Sequence, residues 1–128
     1  MPITYTIDRE QKLISEVWTG EIRAADLAEY WKQYLCDHDV MEIRRTIVDL
    51  RQAVILFNGS EMDNLIQSIV LPALKGKDWK TAIVVDSPLQ FGISRQYQVF
   101  AGHYSKDSIF RSMEEARSWL HSFDSAKS

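Results

Sequence analysis

Asp49 and Asp86 each follow an apolar run, Ile47-Val48 before the first and Ile83-Val84-Val85 before the second. If those runs are adjacent parallel strands, both carboxylates end at one rim of a sheet. A pair placed there can do acid–base chemistry when burial raises one pKa. The plainer role for each is to tie down a neighbouring loop amide. Arg51, Arg95 and Arg111 carry the planar fork that matches carboxylate or phosphate. Solvated or locally paired arginines are the ordinary alternative. Ser60, in Asn58-Gly59-Ser60-Glu61, offers a hydroxyl as a helix cap or as a phosphoacceptor. Phe57, Phe91, Tyr97, Phe100 and Trp79 form an aromatic set that either packs a core or lines an apolar cleft. Cys36-Asp37-His38-Asp39 has metal-like letters but no second His or Cys cluster to complete a site. Ser60, His103 and Asp49 spell a triad, yet no nucleophile elbow surrounds the serine.

These residues need elements to hold them. Ile3, Tyr5 and Ile7 alternate with threonines, which predicts a half-buried strand, and a longer strand follows over Leu13 to Glu21. The two should pair as an antiparallel hairpin. Leu27, Trp31, Tyr34 and Leu35 share one face of a helix over Ala24 to Cys36. Arg45 to Leu50 predicts a short strand and Arg51 to Gly59 a loop, unusually apolar over Val54-Phe57. Ser60, Ser87 and Ser112 each precede a helical pattern, with Asp63, Gln90 and Glu115 three places on as in a capping box. Pro72 should kink or end the second helix, because it lacks an amide and its ring clashes with the preceding turn. Thr81 to Val85 is the clearest buried strand. The third helix starts at Pro88, and Gly92 within it suggests close packing. Ser108-Phe110 is a last short strand, Met113 to Phe123 a last helix, and 124–128 a disordered tail.

The order is β-β-α-β-α-β-α-β-α. It predicts an α/β fold with a mixed, mostly parallel five-stranded sheet and four helices in a single domain over 1–123. Ligands in such sheets gather beyond the carboxyl ends of the parallel strands. Apolar residues make up 45% and charged residues 26%, so the chain is an ordinary globular one. A net charge of -3 argues against nucleic acid as the main partner. No apolar run approaches the roughly 20 residues of an integral membrane segment. The single cysteine forbids an internal disulfide and favours a reducing, cytoplasmic setting. No glycine-rich phosphate loop or other pattern calls for a cofactor.

Several stretches in this order resemble the SpoIIAA-like (STAS/SEC14-like) family of small bacterial proteins. They are Trp18-Thr19-Gly20-Glu21-Ile22, Ile47-Val48-Asp49-Leu50-Arg51, Ala82-Ile83-Val84-Val85, Phe91 through Tyr97, and Ile109 through Leu120. The resemblance spans nearly the whole chain. It implies a SpoIIAA/STAS-like fold and, by analogy with STAS regulators, a phosphoacceptor near the start of the second helix, which is Ser60 here. The regulators carry Asp-Ser, then Ser or Thr, then Gly; this chain has Gly59 before the serine and Glu61 after it.

The resulting expectation is a non-enzymatic binding or regulatory module. It would engage a protein partner or small ligand at the second and third helices, through Asp49, Arg51, Asn58, Phe57, Asp86, Phe91, Arg95 and Tyr97. One alternative is a carrier of a lipid or other small apolar ligand in a cleft between those helices. Another is an enzyme at the strand rim with Asp49 or Asp86 as base. A homodimer is expected through the first strand's edge, with Trp18 or Trp31 in an exposed patch.

Overall fold

Alternation in the first 22 residues makes a hairpin: β1 (Ile3–Asp8) pairs antiparallel with β2 (Leu13–Ile22). A computed structural model describes residues 2–102 and 104–125; His103 and the tail residues 126–128 lie outside them. The remaining strands are β3 (Arg45–Ile55), β4 (Trp79–Val84) and β5 (Ser105–Phe110). The sheet order is β1-β2-β3-β4-β5, and every pair after the hairpin is parallel. Ile47 and Ile83 therefore run in the same sense, as strand–helix alternation requires, and β1 is the antiparallel edge.

The helices are α1 (Ala24–Tyr34), α2 (His38–Ile43), α3 (Gly59–Leu65), α4 (Leu71–Leu74), α5 (Pro88–Ala101) and α6 (Met113–Ser125). A π-helical turn, Ile66–Val70, joins α3 to α4. Segment 59–74 is thus one interrupted helix, and the described residues form five helices where four were expected. The extra one is α2, which follows directly on the helix expected over Ala24 to Cys36. Asp37 caps it by accepting from the Asp39 amide at 2.9 Å.

Pro72 does not end its helix. The widened turn comes just before it, where the chain must accommodate a missing amide and a bulky ring. β3 runs five residues beyond Leu50, because the ten-residue β2 offers partners as far as Ile22↔Ile55 across a bulge between Val17 and Thr19. The apolar stretch expected as a loop continues the strand's alternation: Ala53, Ile55 and Phe57 are buried while Val54 and Leu56 face out. Gly92 is not a close-packing glycine; a Cβ there would meet nothing within 4 Å. Asp124 and Ser125 belong to α6, and Arg45 holds Asp124 at 2.7 Å.

Helix starts obey local chemistry. Ser87 accepts from the Gln90 amide and Ser112 from the Glu115 amide, each at 3.1 Å. At the third site the cap is Asn58, not Ser60. Asn58 Oδ1 accepts from the Glu61 amide at 2.8 Å, and Glu61 Oε1 accepts from the Asn58 amide at 3.0 Å. The box closes two residues earlier because the Asn58–Glu61 pair meets the Ncap-to-N3 spacing, leaving Ser60 exposed inside the first turn.

The sheet has two differently covered faces. Ile47, Ala82 and Val84 pack on Ala116 and Leu120 of α6. The opposite face, with Ile14, Trp18, Val48, Leu50 and Ile83, packs on α1, segment 59–74 and α5. Burying each large apolar side chain there contributes roughly 1.5–3 kcal/mol. Trp18 and Trp31 belong to this core at 6% and 8% exposure, so neither forms the surface patch expected of them.

Candidate ligand-binding cavity

The pleat of β2 sends Ile14, Glu16 and Trp18 to the helix-covered face, so a glutamate occupies a core position. α1 lays Tyr30, Trp31 and Tyr34 over it, and α5 contributes Ile93, Ser94 and Tyr97. Met62, Val70 and Leu74 of segment 59–74 close the remaining side. Between them lies a cavity of about 70 Å³, with Thr46, Val48, Thr81 and Ile83 as its floor. Helix segment 59–74 is joined by its π turn beside this cavity, a feature frequent at functional sites.

Glu16 is 4% exposed, and both its oxygens receive a donor. Trp18 Nε1 donates to Oε2 at 2.6 Å, and the Tyr30 hydroxyl donates to Oε1 at 2.7 Å. Burial pushes the Glu16 carboxyl up to about 7, although both hydrogen bonds pull the other way. Burial, and after it the Glu16 charge, drive the Tyr30 phenol far above its ordinary range.

A polar row crosses the same face. Thr46, Thr81 and Asp107 are successive cross-strand neighbours on β3, β4 and β5. Tyr34 Oη and Thr46 Oγ1 are 2.7 Å apart. Asp107 accepts from Ser105, while its Oδ2 is buried without a hydrogen-bond partner among the described residues. Burial raises Asp107 to about 6, against Ser105 and Thr81. The Tyr97 phenol is raised by burial first, then by Asp107 and Glu16, and so feels both carboxyls.

Of the residues singled out from the sequence, Tyr97, Trp79, Trp18 and Trp31 line this cavity. Phe57 is buried behind it, its ring centroid 6.3 Å from that of Trp18. Asp49 and Arg51 lie on β3; the guanidinium forks the Asp49 carboxylate at 2.9 and 3.0 Å. Arg51 holds the Asp49 carboxyl below its usual range, the opposite of what a general base at neutral pH requires. Asp49 also accepts from the Arg51 amide at 3.1 Å, the local tie foreseen for it. Asp86, Phe91 and Arg111 share a groove at the strand ends, where Gln90 Oε1 accepts from the Asp86 amide at 2.7 Å. Arg95 is exposed, with Nη1 3.3 Å from Gln98 Oε1. Asn58 and Ser60 are spent on, or exposed beside, the start of α3. Of the metal-like letters, Asp37 caps α2 and accepts from Tyr5, Asp39 is forked by Arg9, and His38, Asp39 and Glu42 bring their ligand-type atoms within 4.8 Å of one another at the surface.

No protein-family profile matches the chain, and no curated protein matches it. One similar solved structure is that of an uncharacterised protein of the DUF3478 family from Shewanella loihica PV-4, described as SpoIIAA-like. It aligns over 92% of this chain and 93% of that one, with a TM-score of 0.64 and 18% identity.

The chain has a SpoIIAA-like fold.

At that identity the likeness speaks for architecture alone. Within this SpoIIAA-like fold, Glu16, Thr46, Thr81, Ser94 and Asp107 are the polar groups that sequence reasoning missed. The signal for the first was present: Ile14-Ser15-Glu16-Val17-Trp18 puts a glutamate in phase with two core residues. No helix of the described residues is long and apolar enough to cross a membrane.

Proposed function

We propose that this domain is a binding module that takes a small, mainly apolar molecule between its sheet and the helical layer of α1, α5 and segment 59–74. The observation that carries the reading is the cavity itself, walled by apolar and aromatic side chains with Glu16 as its buried acid. Well-packed interiors keep few voids larger than a water, so a space of about 70 Å³ in a 128-residue chain favours an occupant. Its volume supports a ligand of a few heavy atoms rather than a lipid chain; a 150 Å³ engineered apolar cavity is about the size that takes benzene.

Xenon pressure with methyl-resolved NMR tests this. Saturable shifts are expected on the methyls of Val48, Leu50, Ile83 and Ile93, and Ile93→Trp should abolish them by filling the space. Shifts spread evenly over the molecule, or none, would overturn the proposal.

A homodimer is the second part of the reading. It is supported by the outer edge of β1, which has no strand partner among the described residues. Native mass spectrometry is expected to show twice the 14.9 kDa chain mass, and only the single chain mass at micromolar protein would remove it.

A further inference from the structure

We propose that the cavity holds a compact alkylammonium cation, with the Glu16 carboxylate as counter-charge and aromatic ring faces as the rest of the shell. This deepens the ligand-binding reading above and rests on it.

The argument begins with what Glu16 lacks. Its two donors, the Trp18 indole and the Tyr30 phenol, are neutral and occupy one oxygen each. An ionised carboxylate accepts about four hydrogen bonds, so each oxygen keeps an acceptor site. Among the described residues, no lysine, arginine or histidine lines the cavity. An ionised Glu16 is therefore a buried charge without a counter-charge, an arrangement that costs stability unless a cation is supplied.

The walls favour the same ligand. Trp18, Trp31, Tyr34, Trp79 and Tyr97 all line the space. Trp31 and Tyr97 have centroids 6.3 Å apart, and Tyr34 and Trp79 also 6.3 Å, so the rings cluster around it on several sides. Ring faces attract cations, and methylated ammonium groups are the cations that aromatic cages suit best, since they give up little hydration.

Other classes fit worse. An anion would meet Glu16 and the nearby Asp107. A hydrocarbon would leave the open acceptor sites of Glu16 facing methyl groups. Length is limited by the volume of about 70 Å³, which fits an ammonium bearing one to three methyl groups.

Titration at about pH 8 keeps the amine charged and places the solution above the Glu16 pKa of about 7. The probes are trimethylammonium chloride, tert-butanol as the neutral shape mimic, and sodium acetate, each followed by the Ile83 and Ile93 methyl signals and the Glu16 side-chain carboxyl carbon. Trimethylammonium is expected to bind at least tenfold more tightly than tert-butanol and to move the Glu16 carboxyl signal, while acetate does neither. Glu16→Gln keeps the shape and removes the charge. It should cut the amine affinity at least tenfold and leave tert-butanol unchanged.

Equal affinity for amine and alcohol would overturn the cation proposal while leaving the ligand-binding reading intact. Silence of every probe, together with silence under xenon, would overturn both. An unchanged amine affinity in Glu16→Gln would overturn the role of Glu16. Should that variant not fold, the wild-type amine-to-alcohol ratio and the Glu16 carboxyl signal decide alone.

Discussion

The Glu16 carboxyl is expected to take about 3 kcal/mol of stability from the domain as the pH rises from about 4.5 to about 7.5, and Glu16→Gln is expected to abolish that share of the loss. The sign follows from proton counting. In the folded chain the Glu16 carboxyl titrates at about 7, while in the unfolded chain it titrates in the ordinary glutamate range. Between those values the folded state holds a proton that the unfolded state has released. Raising the pH through that window therefore favours unfolding, and the loss levels off above the folded pKa. A gap of about 2.5 units at ~1.4 kcal/mol each sets the magnitude, and full burial of the group means little solvent screening reduces it. Asp107, raised to about 6, adds a loss of the same sign and comparable size that is complete nearer pH 6 and persists in Glu16→Gln. Asp37, Asp49, Asp78 and Asp124 are lowered, so they give stability that is present above their unfolded pKa and lost only in stronger acid. Maximum stability should therefore lie in the mildly acidic range. Urea titrations across this range, on wild type and Glu16→Gln, measure it. Parallel slopes for the two proteins would show that Glu16 is not the group responsible.

Trp18→Ala should be still more costly, at about 4–6 kcal/mol near pH 8. Two losses combine. The first is the cavity left by a large core side chain, typically about 3–5 kcal/mol. The second is a bare Glu16 Oε2, deprived of its 2.6 Å indole donor. The second loss depends on Glu16 and the first does not, so a double-mutant cycle separates them. In a Glu16→Gln background the same truncation should cost about 1–2 kcal/mol less. Additive costs would mean that the indole serves the core by packing alone, and the polar centre of the cavity would lose one of its two supports.

Much of the architecture was legible because local rules and global fold agree. Period-two alternation located β1 and β2, caps at Ser87 and Ser112 located the starts of α5 and α6, and β–α alternation required parallel pairing of β3 with β4. Local rules failed where two of them competed. Asn58 and Ser60 both suit an N-cap, and the reciprocal bond from Glu61 decided for Asn58. Val54-Phe57 read as loop because its partner strand is supplied by β2, some thirty residues earlier, and no local window contains both.

The site itself was largely illegible for a related reason. Charged residues on a sequence invite attention wherever they cluster, and Asp49, Arg51, Asp86 and Arg95 drew it. Three of them are partly or fully exposed, and the fourth, Asp49, is satisfied by its own neighbour two places along. Glu16 stands alone among apolar residues and carries no motif, yet its isolation is what makes it chemically unusual.

Periodicity and element order by themselves determined the α/β class, the parallel sense of β3 and β4 and the helix that bears Tyr97, because local patterns place each element and a strand–helix–strand connection returns the next strand in the same sense. Only tertiary structure decided that Glu16 of β2, Trp31 and Tyr34 of α1, Thr81 of β4 and Tyr97 of α5 surround one space. Burial, which shifts the acid and leaves it without a counter-charge, is a property of packed layers and not of any stretch of chain.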